Sequence, residues 1–170
     1  ASLEPFRPEL LGAASRESLA AQFVGAQPFA HVAIRDICDD DTLRTVLSEM
    51  QATFRGDAFK LKETDLFKVY QSIDLGNVSA SDASNRANIP ALLQLRAALY
   101  SAAFRDFVRS VTGCGELADQ PDCSINVYGR SCHLLCHDDV IGSRAMTYII
   151  YLTPPDQGDA WNARDGGALE

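Results

Sequence analysis

From Ser124 onward the apolar pattern of this chain stops following a helix and follows a strand. Ser124 to Tyr128, Cys132 to His137 and Ala145 to Leu152 read as successive strands, whereas the apolar residues of Pro90 to Thr112 recur every three or four positions. Helices first and strands afterwards predict an α+β domain, with helices covering one face of an antiparallel sheet. Between the second and third of these strands stands Cys136-His137-Asp138-Asp139. Side chains alternate faces along a strand, so His137 and Asp139 project to one side and Asp138 to the other. One imidazole and one carboxylate then converge on a point. That is two-thirds of the two-histidine, one-carboxylate set that holds non-haem Fe(II) and leaves positions open for other ligands.

The residues before Ser124 place the helices. Arg16 to Val24 is a short helical candidate, and Phe29 to Ile34 alternates like a strand. Asp39-Asp40-Asp41 supplies an N-cap and an acidic first turn, suited to the positive end of a helix dipole. Behind it Leu43, Val46, Leu47, Met50 and Phe54 form one stripe, which Gly56 ends. Leu66 to Ser72 reads as a strand, and the Ser/Ala/Asn-rich Asn77 to Asn88 as a loop. Pro90 to Thr112 reads as a single long helix, with Leu92, Leu95, Leu99, Ala103, Phe107 and Val111 as its stripe and Gly113 as its stop. Pro154 to Gly167 is a turn-rich loop, and Ala168 to Glu170 has the look of another strand's start. A sheet ended there would carry an unpaired edge, so the expectation is an excerpt of a longer domain.

Composition narrows the function classes. With 170 residues, 46% of them hydrophobic, the chain suits one domain with its own core. A net charge of -8 argues against direct nucleic-acid binding, which draws its affinity from clustered Lys and Arg. No apolar run approaches the length of a membrane span and no signal-peptide pattern opens the chain, so no membrane partner is expected. Five irregularly spaced cysteines do not resemble a secreted disulfide framework, and the expected compartment is cytoplasm or nucleus.

Other histidines and cysteines compete for the third metal position. His133 shares strand parity with His137, but four residues of strand span about 13 Å, too far for two ligands of one ion. His31 sits on an early strand candidate and also reads as an ordinary half-exposed histidine. Cys132-His133-Leu134-Leu135-Cys136-His137 is one residue longer than the haem-attachment spacing, and a zinc site would need Cys114 and Cys123 as a second pair. Small buried hydrophobes are the commoner fate of such cysteines. A His-x-Asp match is also compatible with a core-edge histidine capped by a carboxylate. In the last strand Thr147, Ile149, Tyr151 and Thr153 share a face. Its hydroxyls, with Tyr128 from the preceding strand, are able to hydrogen-bond a small acid.

Several stretches together resemble the Fe(II)- and 2-oxoglutarate-dependent prolyl hydroxylases, most closely the eukaryotic ribosomal-protein prolyl 3-hydroxylases and 3,4-dihydroxylases. They are Pro28-Phe29-Ala30-His31, Asp65 to Ser72 with Asp74-Leu75, Leu134-Leu135-Cys136-His137-Asp138-Asp139, Tyr148 to Pro155, and Gly166-Gly167-Ala168-Leu169. The resemblance implies a double-stranded β-helix, a cupin-like jelly roll, with N-terminal helices packed on its larger sheet. The chain would be the N-terminal part of a catalytic domain, with a helical and strand region over 1–120 and the start of the jelly-roll core over 121–170. His137 and Asp139 would be catalytic iron ligands, the third His lying outside this chain. Tyr151, Tyr128, Leu134 and Thr147 would contact or line the pocket of 2-oxoglutarate, and ascorbate would serve as reductant. The implied reaction is hydroxylation of a prolyl residue in a small-subunit ribosomal protein. Competing readings are a prolyl 4-hydroxylase of a transcription factor or another protein, and a non-catalytic jelly-roll interaction module.

Overall fold

The computed structural model describes residues 4–137, 139 and 142–153. They fall into two compact units, Ala1–Thr53 with Ser79–Pro121 and Phe54–Val78 with Asp122–Glu170. The first is helical and the second carries an antiparallel sheet, so the α+β expectation holds.

In the helical unit α1 is Ala13–Gly25, α2 Asp40–Thr53, α3 Ala83–Asn88, α4 Pro90–Leu99 and α5 Ala102–Thr112. The α1 helix packs on α5 and α2 on α4. Asp39 caps α2 as its sequence predicts, its Oδ2 accepting from the N–H groups of Asp41 at 3.1 Å and Thr42 at 3.4 Å. Val46 and Met50 of that helix's stripe are buried, as are Leu92, Leu95, Ala98 and Leu99 of α4. Phe104 forms the aromatic centre of this core, 4.9 Å from the Phe6 ring and 6.0 Å from Phe107.

The expected long helix is two helices. Ser101 breaks it: its hydroxyl donates to Ala98 O at 2.7 Å and accepts from Phe104 N at 3.1 Å, which caps α5 and competes with the continuous helical ladder. The break resets the apolar phase, so Phe104 enters the core where a single helix would have presented Ala103. Asn77 to Asn88 also differs from expectation. Its second half is α3, whose N-cap Asp82 accepts from Asn85 N at 2.9 Å. Phe29 to Ile34 is not a strand, because its backbone finds no ladder partner among the described residues.

In the sheet unit β1 is Phe59–Glu63, β2 Phe67–Ser72, β3 Asn126–Val127 and β4 His133–Leu134. The tight turn from β1 to β2 is held by Thr64, whose N–H donates to Phe67 O at 2.8 Å while its hydroxyl accepts from Leu66 N at 3.1 Å. Strand β1 escaped the sequence reading because Phe-Lys-Leu-Lys-Glu is short and mostly polar, the composition of a sheet edge. On the other side of β2, β3 and β4 lie along the same edge: Tyr70 and Gln71 face Val127 and Asn126, while Phe67 and Lys68 face Leu134 and His133. The intervening residues 128–132 leave the ladder through a turn in which Cys132 N donates to Gly129 O at 3.0 Å. Two runs expected as separate strands are thus one interrupted partner of β2. Pairing continues past the strand ends, with Ser72 N on Ile125 O at 3.0 Å and Leu135 N on Leu66 O at 2.9 Å. The expected strand Ala145 to Leu152 is not formed: a strand exists by its ladder, and none of the described residues pairs with it. The expected loop Pro154 to Gly167 and strand start Ala168 to Glu170 lie outside the described residues.

Candidate metal centre

Strand β2 works as the ruler for this site. By holding β4 and then Leu135 it delivers the chain to His137, where the ladder ends. His137 Nδ1 lies 2.9 Å from Leu135 O. A carbonyl only accepts, so Nδ1 carries the proton and in the neutral ring Nε2 bears a lone pair. That Nε2 lies 3.1 Å from Asp139 Oδ1. Two lone-pair donors face each other at this distance only with a positive charge between or on them, either a second ring proton or a cation. Ligand distances of about 2.1 Å at right angles put two donors on one octahedral ion about 3 Å apart. The pair therefore fits a divalent metal both by donor chemistry and by spacing. Both side chains keep access to solvent, 29% exposed for His137 and 41% for Asp139.

Strand alternation does not make this pair. Neither residue is in a strand, and Asp139 has φ of 56°, the left-handed region that Asp tolerates better than most residues at a cost of about 1 kcal/mol or more. Asp138, expected on the opposite side, lies outside the described residues. Arg144 holds the turned backbone: its Nη1 is 3.3 Å from Asp139 Oδ1 and 3.4 Å from Asp139 O. Gly142, two residues before Arg144, has a φ of 56°, a conformation that glycine adopts without strain. The sequence reading missed Arg144 as a site residue. Its signal was an Arg five positions after a candidate carboxylate with a Gly between.

Tyr128 stands where the chain leaves β3. Its phenol is shifted above the ordinary tyrosine range, first by partial burial and then by the negative charges of Cys132 and Asp139. It stays protonated and remains a hydrogen-bond donor near the pair. Leu134, in β4 opposite Phe67, is 45% exposed. Thr147 is exposed and Tyr151 is 68% exposed, and among the described residues no hydrogen bond ties either to His137 or Asp139. His133 pairs across to Lys68 and turns its ring toward Ser131 O at 3.5 Å. His31 Nδ1 is 2.9 Å from Phe29 O, within the helical unit. Among the described residues no third His, Cys, Asp or Glu joins His137 and Asp139 in a metal-binding group.

Residues 123–170 match the 2OG-Fe(II) oxygenase superfamily. The span contains Tyr128, Leu134, His137, Asp139, Arg144, Thr147 and Tyr151. The chain is similar to prolyl 3,4-dihydroxylase OGFOD1 of Ostreococcus tauri, with 48% identity over 147 residues, covering 86% of this chain and 28% of that protein. It is also similar to prolyl 3-hydroxylase OGFOD1 of Xenopus laevis, with 31% identity over 84% of this chain and 24% of the relative. Prolyl 3-hydroxylase sudestada1 of Drosophila melanogaster shares 32% identity over 64% of this chain and 18% of its own length. The chain thus spans between 18% and 28% of the length of these curated relatives. The oxygenase match and the relatives' names bear out the resemblance to prolyl hydroxylases.

Proposed function

We propose that this chain is the N-terminal part of the catalytic domain of an Fe(II)- and 2-oxoglutarate-dependent prolyl hydroxylase acting on a small-subunit ribosomal protein. The observation that carries the proposal is the His137 Nε2 to Asp139 Oδ1 approach of 3.1 Å, made by residues inside the oxygenase match. His137 and Asp139 hold the iron, with a third ligand from outside the described residues. The domain closes as a jelly roll. The names of the relatives support prolyl hydroxylation, and the resemblance read from the sequence supports the ribosomal substrate.

Iron with bound 2-oxoglutarate supplies the oxidising chemistry, coupling decarboxylation of the keto acid by dioxygen to oxygen insertion at a prolyl C–H. The chain's own residues bind and shield. The Leu135 carbonyl keeps the proton on His137 Nδ1, so that Nε2 is free to ligate. Tyr128, neutral at physiological pH, offers its hydroxyl to a carboxylate of 2-oxoglutarate, as do Tyr151 and Thr147. Leu134 lines that pocket and keeps water from it. The five cysteines are all free thiols, which fits a cytoplasmic or nuclear location. No described helix is long and apolar enough to cross a membrane.

The test is turnover. Full-length protein with Fe(II), 2-oxoglutarate, ascorbate and a proline-containing peptide of the ribosomal substrate should release succinate and hydroxylate the peptide. His137→Ala and Asp139→Ala should each abolish both products while the fold persists. Unchanged turnover in either variant removes the iron site.

A further inference from the structure

Among the described residues no sheet pairing holds the backbone beyond Leu135, yet the carboxylate that meets His137 belongs to a residue in the left-handed region two positions past that imidazole. Something other than a ladder must fix Asp139. Arg144 is placed to do so. One guanidinium nitrogen, Nη1, lies within 3.4 Å of the main-chain oxygen of Asp139 and 3.3 Å of its Oδ1. A single donor that touches the backbone and the side chain of the same residue limits both the peptide orientation and χ1. Oδ1 is also the oxygen 3.1 Å from His137 Nε2, so the guanidinium and the imidazole share one carboxylate oxygen. The Arg144 side chain is 33% exposed, withdrawn far enough for the contact to persist and open enough for its charge to be screened.

We propose that Arg144 is a positioning residue for the metal-binding carboxylate: it holds Asp139 in the orientation that meets His137 without touching metal or substrate. The proposal rests on the iron-site reading. Two effects of the guanidinium oppose each other. Its positive charge repels a divalent ion, but at a partly exposed site that repulsion is weakened by solvent and salt. Its ordering of a ligand that lies outside any strand is not screened, and partners that orient metal ligands typically contribute about 10- to 100-fold in affinity. Ordering therefore wins, and loss of Arg144 weakens metal binding.

The experiment titrates Mn(II), a redox-silent probe, into full-length metal-free protein and follows the free-ion electron paramagnetic resonance signal. Arg144→Ala should raise the Mn(II) Kd about 10-fold or more. Arg144→Lys returns one cationic nitrogen to a contact that one nitrogen makes, and should bind within about threefold of wild type. His137→Ala should abolish binding. If His137→Ala binds as wild type does, the iron-site reading fails and the Arg144 proposal falls with it. If His137→Ala loses binding while Arg144→Ala stays within twofold of wild type, the iron site stands and the positioning role alone is overturned. Circular dichroism of each metal-free variant checks folding. Should Arg144→Ala prove misfolded, the folded Arg144→Lys variant decides: binding within threefold supports the proposal and a 10-fold loss overturns it.

Discussion

Helix α4 begins without a cap of its own, and that makes one residue of α2 testable. Ile89 at its N-cap supplies no side-chain hydrogen bond, and Pro90 has no N–H to satisfy. The next two donors, Ala91 N and Leu92 N, are taken by Glu49 Oε1 at 3.0 Å and Oε2 at 2.9 Å. A carboxylate here accepts two main-chain bonds at the positive end of the helix and ties α2 to α4. Hydrogen bonds to a charged partner contribute about 1.5 to 3 kcal/mol each when buried. Glu49 is only half-buried, so the lower end applies to each bond, and water recovers part of the loss at Ala91. Leu92 is 5% exposed, and water does little for it. Glu49→Ala should therefore destabilise the helical unit by about 2 to 3 kcal/mol. Glu49→Gln keeps one accepting oxygen and places an N–H2 against the other donor, so it should lose about half as much. Urea unfolding followed by circular dichroism gives the free energies, and amide hydrogen exchange at Ala91 and Leu92 localises them. A 2 kcal/mol loss corresponds to opening about 30-fold more often. Both variants within 0.5 kcal/mol of wild type, with unchanged protection at the two amides, would refute the cap.

Gly113 closes α5 with φ of 70°, and a Cβ added there meets nothing within 4 Å. Gly113→Ala should then cost only the left-handed penalty, about 1 kcal/mol in urea unfolding, and Gly113→Asn less. Cys38 is buried and its thiol is pushed up to about 11 from 9.0 by desolvation. The folded state thus holds its proton to higher pH than the unfolded state. The associated stability is complete well below pH 9 and is lost as pH rises toward about 11, by about 3 kcal/mol at most. In Cys38→Ala, the unfolding free energy should fall less than in wild type over that window; parallel curves would show the thiol is not desolvated.

What could be read in the sequence follows from how local each cause is. The Asp39 cap and the Val46 and Met50 stripe of α2 were legible because caps and periodicity act within a turn or two. The break at Ser101 was not. Leu95, Leu99, Ala103, Phe107 and Val111 keep a helical spacing straight through it, and only the buried hydroxyl with its bonds to Ala98 and Phe104 interrupts the ladder. Strands fared worse for a physical reason, since pattern marks which residues suit a sheet while the ladder is made by partners distant in sequence. Cys132 to His137 keeps just two residues in strand form because just Phe67 and Lys68 of β2 stand opposite. Ala145 to Leu152 has the pattern and lacks any partner among the described residues.

The metal pair shows the same division within three residues. Spacing chose His137 and Asp139, and the structure sets them 3.1 Å apart. Strand parity is nevertheless the wrong cause. Neither residue lies in a strand, and the donor atoms meet where the backbone has left the extended region at Asp139. The approach is made from a backbone that is left-handed at Asp139 and contacted there by the Arg144 guanidinium. In this chain the 3.1 Å spacing thus goes with a left-handed residue and with an Arg outside the motif. Loss of Arg144 should therefore weaken divalent-ion binding even though the His-x-Asp pattern itself is intact.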